Sequence, residues 1–166
     1  MDSPLDERKE ALTLLAWQAH RGVELSVARL RALPAGKFRG QDSGWVDAGL
    51  LIISLWRLRS AAAASTELSS AGPTSDAVSK FDAVLPGLQK LRNVTMHFEN
   101  YALGNDKRRN TVDGEGTFIG THDLWALEAN SARVDWLGET LEYASVLTAA
   151  RDLYDAVQVA NKRPSV

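Results

Sequence analysis

Along the N-terminal segment the apolar residues Leu5, Leu12, Ala16, Ala19, Val23, Val27 and Leu30 recur mostly at steps of three and four. That spacing is the period of an amphipathic helix. Ser3-Pro4 offers a capping residue followed by a proline suited to the first helical position, and Asp6 and Glu7 fall where acids complement the helix dipole. Gly22 is a candidate bend, and Leu33-Pro34-Ala35-Gly36 predicts the end. Lys37 to Gly44 reads as a polar connector. A second helix is expected from about Trp45 to Ala64, with Asp42 or Ser43 as cap. Its residues Val46, Leu50, Leu51, Ile52, Ile53, Leu55, Trp56 and Leu58 lie almost all the way round, the pattern of a central helix or of one buried against a partner as well. Ser65 to Thr74, rich in Ser, Gly and Pro, predicts a flexible loop.

A third helix is expected to start near Ser75-Asp76, with Val78, Phe81, Val84 and Leu85 on its stripe. Pro86 should kink or restart it, because proline lacks the donor that continues a helix. Leu88, Leu91, Val94, Thr95 and Phe98 resume the stripe as far as Gly104-Asn105. Polar, glycine-rich sequence follows to Gly120. Alternation at Trp125, Leu127, Val134 and Trp136, on either side of Asn130-Ser131-Ala132, predicts a β-hairpin. A last helix is expected from about Glu139 to Asn161, with Tyr143, Leu147, Ala150, Tyr154 and Val157 as its stripe, before a frayed tail from Arg163 to Val166. The expected fold is all-α: an antiparallel bundle of four long helices with a short β-hairpin before the last. One domain is expected over 1–166, with 105–138 as a loop and hairpin insertion.

Composition narrows the class. The chain has 166 residues, 45% of them hydrophobic and 24% charged, which suits one folded domain rather than a disordered chain. A formal charge of -2 argues against a bulk nucleic-acid coat or a polybasic membrane binder and still allows a local basic patch. The absence of cysteine removes disulfides, thiolate zinc sites and cysteine nucleophiles. The N-terminus has no basic stretch leading into an apolar run, and the apolar run around Ala48 to Trp56 is too short to span a membrane. A cytoplasmic protein without membrane contact is expected.

One segment carries candidate chemistry: Leu91-Arg92-Asn93-Val94-Thr95-Met96-His97. It resembles the signature of the HEPN family, small helical-bundle domains that include metal-independent ribonucleases: an arginine, often followed by a polar residue such as asparagine, then a histidine four to six residues on. The resemblance covers seven residues, on Arg92, Asn93 and His97. It implies an endoribonuclease without a metal or other cofactor, of the kind found in toxin–antitoxin or defence pairs. It also implies a homodimer, because such sites commonly form across two copies, and a neutralising partner protein.

On a helix Asn93 and His97 share a face, and the long side chain of Arg92 reaches the same groove. Arg92 would clamp an RNA phosphate through its fork of donors, and His97 would act as general base or acid on the 2′-hydroxyl or the leaving 5′-oxygen. Asn93 would orient the histidine or the phosphate. Lys107, Arg108 and Arg109, just beyond, are candidate RNA contacts, or cations near a helix C-terminus in a solvated loop. The competing reading leaves Arg92, Asn93 and His97 as ordinary solvated helix residues. The chain is then a non-catalytic, homodimerising interaction module that uses its apolar second helix and its tryptophans. A small-ligand bundle is a third class.

Other candidates are poorer. The three histidines are far apart in sequence and His122-Asp123 is too little for a metal site. His20 is expected at the outer edge of the first helix. Glycines 114 to 120 neither follow a strand nor open a helix, which argues against a phosphate loop. Trp17, Trp45 and Trp56, on helical stripes, are expected in the core, as are Trp125 and Trp136 in the hairpin.

Overall fold

A computed structural model describes residues 4–39, 42–69, 73–97 and 126–162. The described chain is mostly helical, with a small antiparallel sheet. In order it contains α1 (Pro4–Ala32), β1 (Gly36–Arg39), α2 (Ser43–Ser69), α3 (Pro73–Val84), α4 (Leu88–Met96), β2 (Ala126–Ala129), β3 (Arg133–Trp136), β4 (Glu139–Glu142) and α5 (Tyr143–Asn161).

α1 and α2 form an antiparallel pair. Arg29 meets Asp47 at 3.4 Å, Gly22 faces Ser54, and Thr13 and Ser65 both accept from the side-chain amide of Asn161 on α5. Gly22 therefore serves close approach between the two helices. α2 packs against all four other helices, as its apolar sequence predicts, and against β1 and β2. Its inward residues Leu51, Ile52, Leu55 and Leu58 join Val23, Val27, Leu91, Val94, Val146 and Leu153 in one buried cluster that also takes in Val134 and Leu141 of the sheet. Each fully buried side chain of this kind contributes about 1.5–3 kcal/mol.

Several expectations are corrected. The segment expected as a flexible loop from Ser65 is helical as far as Ser69. Ser65 and Thr66 turn their hydroxyls back to the carbonyls of Ala61 and Ala62, and Ser65 is fully buried, so their polar groups are satisfied without leaving the helix. The third long helix is two helices. Pro86 excludes helical geometry at Leu85 and provides no donor, and a new helix starts at Leu88. Among the described residues the bundle of four long helices is thus replaced by five helices.

The sheet extends beyond the expected hairpin. Its order is β1-β2-β3-β4, all antiparallel. Two strands come from segments expected as connector and helix. Gly36–Arg39 pairs with β2, setting Phe38 opposite Leu127, and Glu139–Glu142 pairs with β3, setting Leu141 opposite Val134. Leu127, Val134, Trp136 and Leu141 point to the core, while Glu128 and Glu142 are exposed on the opposite face. Asn130 shapes the β2–β3 turn by accepting from the amides of Ala132 and Arg133. Leu137 and Gly138, both at positive φ, make the tight β3–β4 turn. No helix among the described residues is long and apolar enough to cross a membrane.

Candidate functional site

The site is built on α4, a short amphipathic helix that buries Leu88, Leu91 and Val94. With those positions inward, Gln89, Arg92 and Asn93 fall toward the outside of the helix. α4 is fixed to the sheet by Lys90, whose Nζ donates to the Leu137 carbonyl at 2.6 Å and to Glu139 at 3.0 Å. Gly87 permits this approach, because a Cβ there would run into the Glu139 carboxylate.

Arg92 is half-buried. Its Nη1 donates to Asn93 Oδ1 at 3.0 Å, and its Cζ lies 5.2 Å from the centroid of the Trp56 ring on α2. The buried Nε has no hydrogen-bond partner among the described residues. No carboxylate among the described residues pairs with this guanidinium. Arg59, one turn along from Trp56, behaves differently. Its Cζ also lies over Trp56, at 5.5 Å, but it is held by Asp82 of α3 through two hydrogen bonds of 2.6 and 2.7 Å. That pairing raises the Arg59 pKa above its ordinary value. Trp56 thus carries two cations, one neutralised and one without a carboxylate partner among the described residues. An aromatic face orients a guanidinium through its quadrupole and leaves the positive charge available to an anion.

His97 is the C-cap of α4. Its backbone N–H donates to the Asn93 carbonyl at 3.1 Å, and the residue is half-exposed. Arg92 and Asn93 are brought together by a side-chain hydrogen bond. His97 is tied to Asn93 through backbone only, and its imidazole has no hydrogen-bond partner among the described residues. Asn93 Oδ1 is engaged by Arg92, so within the described residues Asn93 orients the guanidinium rather than the histidine. Lys107, Arg108 and Arg109 lie outside the described residues, as does Trp125.

Beside Trp56 a cleft of about 390 Å³ is lined by Arg59, Asp82, Pro86 and Gln89, at the corner where α2, α3 and α4 meet. Sequence reading singled out neither Gln89 as a lining residue nor Arg59 and Asp82. The pairing of Arg59 with Asp82 spans two helices and leaves no local spacing to find. The Gln89/Arg92 spacing of three was legible, since residues three apart on a helix are neighbours.

Two further expectations are corrected. His20, expected at the outer edge of α1, is 7% exposed and stacks on Tyr154 of α5, with ring centroids 4.9 Å apart. Burial lowers its pKa, opposed chiefly by Glu24. Trp17, expected in the core, is half-exposed. Among the described residues no group of three or more His, Asp and Glu side chains is placed to hold a metal ion. No protein-family model, curated protein or solved structure matches this chain.

Proposed function

We propose that this chain is a HEPN-like, metal-independent endoribonuclease acting through Arg92, Asn93 and His97. The observation that carries the reading is the Arg92 guanidinium, without a carboxylate partner among the described residues, held by Asn93 and laid on Trp56, which also lines a cleft. In this mechanism Arg92 binds the scissile phosphate and stabilises the charge that grows on its oxygens. His97 takes the proton from the 2′-hydroxyl, whose oxygen attacks phosphorus. The bond to the 5′-oxygen breaks and that oxygen takes up a proton, leaving a 2′,3′-cyclic phosphate and a 5′-hydroxyl. The test is cleavage of a labelled single-stranded RNA in excess EDTA. Cleavage is expected from the wild-type chain and its loss, by at least a hundredfold, from Arg92→Ala and His97→Ala. Undiminished cleavage in either variant overturns the assignment.

A second reading, a homodimerising interaction module, is favoured by a different observation. Leu14, Trp17 and Leu25 on α1 and Val46 and Leu50 on α2 are all substantially exposed, although large apolar side chains are usually buried. Sedimentation distinguishes the two. A dimer disrupted by Trp17→Glu together with Leu25→Glu supports association through this face, and a monomer at all concentrations removes it.

A further inference from the structure

The cleft beside Trp56 differs in chemistry from its surroundings. Its apolar lining is Trp56, Leu85, Pro86 and Leu88. Its polar lining includes the Gln89 amide, exposed and able to donate and accept, and the Asp82 carboxylate. Arg92, one turn beyond Gln89 on α4, contacts the same tryptophan. Asp82 and Arg59 satisfy each other, so among the described residues the positive charge left over at this corner belongs to Arg92. A ligand complementary to these groups has an anionic group, a planar ring to lie against Pro86 and the Arg59–Trp56 stack, and a hydrogen-bonding edge for Gln89. A nucleotide carries all three.

We propose that this cleft is a nucleobase subsite that receives one unstacked base of a single-stranded nucleic acid, with the adjoining phosphate on Arg92. The proposal deepens the ribonuclease reading and rests on it for RNA as the natural substrate. Bases still paired in a duplex turn their hydrogen-bonding edges to each other and their faces to their neighbours, so neither Gln89 nor Trp56 can reach them. The volume of about 390 Å³ lies in the range of small-ligand sites and suits one nucleotide rather than a helix groove. Stacking and the amide contact add to the phosphate contact.

Single-stranded DNA is the probe, since it presents bases and phosphates without the 2′-hydroxyl needed for cleavage. Binding of a fluorescein-labelled 12-nucleotide single strand is followed by anisotropy on the full chain, beside the duplex of the same sequence. The single strand is expected to bind at least tenfold more tightly than the duplex. Gln89→Leu and Arg92→Gln should each weaken it several-fold or more, and Trp56→Phe should retain more affinity than Trp56→Leu. Arg151→Gln, which removes an exposed charge on α5, should change it less than twofold. Gln89 is exposed, so its variant keeps the test valid if a Trp56 variant fails to fold. Equal affinity for duplex and single strand, no binding, or equal losses in Arg92→Gln and Arg151→Gln overturns the subsite. Single-strand binding with this variant pattern but no RNA cleavage leaves the subsite standing and removes the nuclease reading alone.

Discussion

Gly22 of α1 and Ser54 of α2 mark the crossing of the two longest helices, so close that a Cβ built on Gly22 would lie 3.1 Å from that of Ser54 and closer still to its hydroxyl. Alanine favours a helix over glycine by about 1 kcal/mol, yet Gly22→Ala is expected to destabilise by about 1 kcal/mol, because overpacking outweighs the propensity gain. Ser54→Ala in the same chain should recover most of the loss. A double-mutant cycle by chemical denaturation checks this; equal effects of Gly22→Ala with and without the Ser54 hydroxyl would refute it.

The His20–Tyr154 stack makes stability depend on pH. Burial lowers the His20 pKa from 6.5; Glu24 and Asp155 oppose the shift, and Arg151 and Arg21 add to it. The unfolded chain therefore takes up a proton near pH 6.5 that the folded chain still refuses, so stability is full above that pH and declines below it. His20→Phe keeps a ring in the stack and removes the titration. Its stability should fall less than that of the wild type between pH 7.5 and 5.5, measured by urea unfolding.

Tyr143 is fully buried and its hydroxyl has no hydrogen-bond partner among the described residues. Tyr143→Phe should be neutral or stabilising, by up to about 1 kcal/mol, because a buried unsatisfied hydroxyl is costly. Burial, with Asp135 adding and Arg31 opposing, pushes its pKa up to about 12 from 10.0. The unfolded chain loses this proton first, so wild-type stability should fall as pH rises from 10 toward 12, and the phenylalanine variant should lack that component. A destabilised Tyr143→Phe at neutral pH contradicts the assignment.

Lys90 joins α4 to the β3–β4 turn. Its ammonium bonds the carbonyl of Leu137, a residue held at φ 55°, and the half-buried Glu139 carboxylate. Lys90→Met should destabilise by about 1–3 kcal/mol, since the carboxylate loses its partner in a poorly solvated place. Glu139→Gln added to Lys90→Met should restore part of the loss. Thermal melts of the two variants decide the point.

Long periodic stretches were legible in the sequence. The stripes of α1 and α5 and the alternation of β2 and β3 each repeat often enough to fix the period. His20 was misread as outward-facing, although it continues the buried row from Ala16 toward Val23 and Val27. β4 was missed since Leu141 is its only buried residue, and four residues between a turn and a helix read as the first turn of that helix. The signal was Leu137-Gly138, a pair suited to a tight hairpin turn. β1 offers Phe38 alone, and its pairing depends on a strand far along the chain. At the site, Arg92, Asn93 and His97 stood out as neighbours in sequence. Trp56, Arg59 and Asp82 reach Arg92 and its cleft only because α2, α3 and α4 converge, and helix convergence leaves no mark in local spacing.

The pairing of Gly36 with Ala129 has a consequence for how the protein is made. As the chain leaves the ribosome, the segment between the first two helices emerges long before its neighbour in the sheet. The antiparallel pair of α1 and α2 can form early from contacts near in sequence, whereas β1 must wait as an unpaired edge until the second half of the chain arrives. Ribosome-stalled chains ending before residue 126 should therefore already contain helix but leave β1 open to backbone hydrogen exchange.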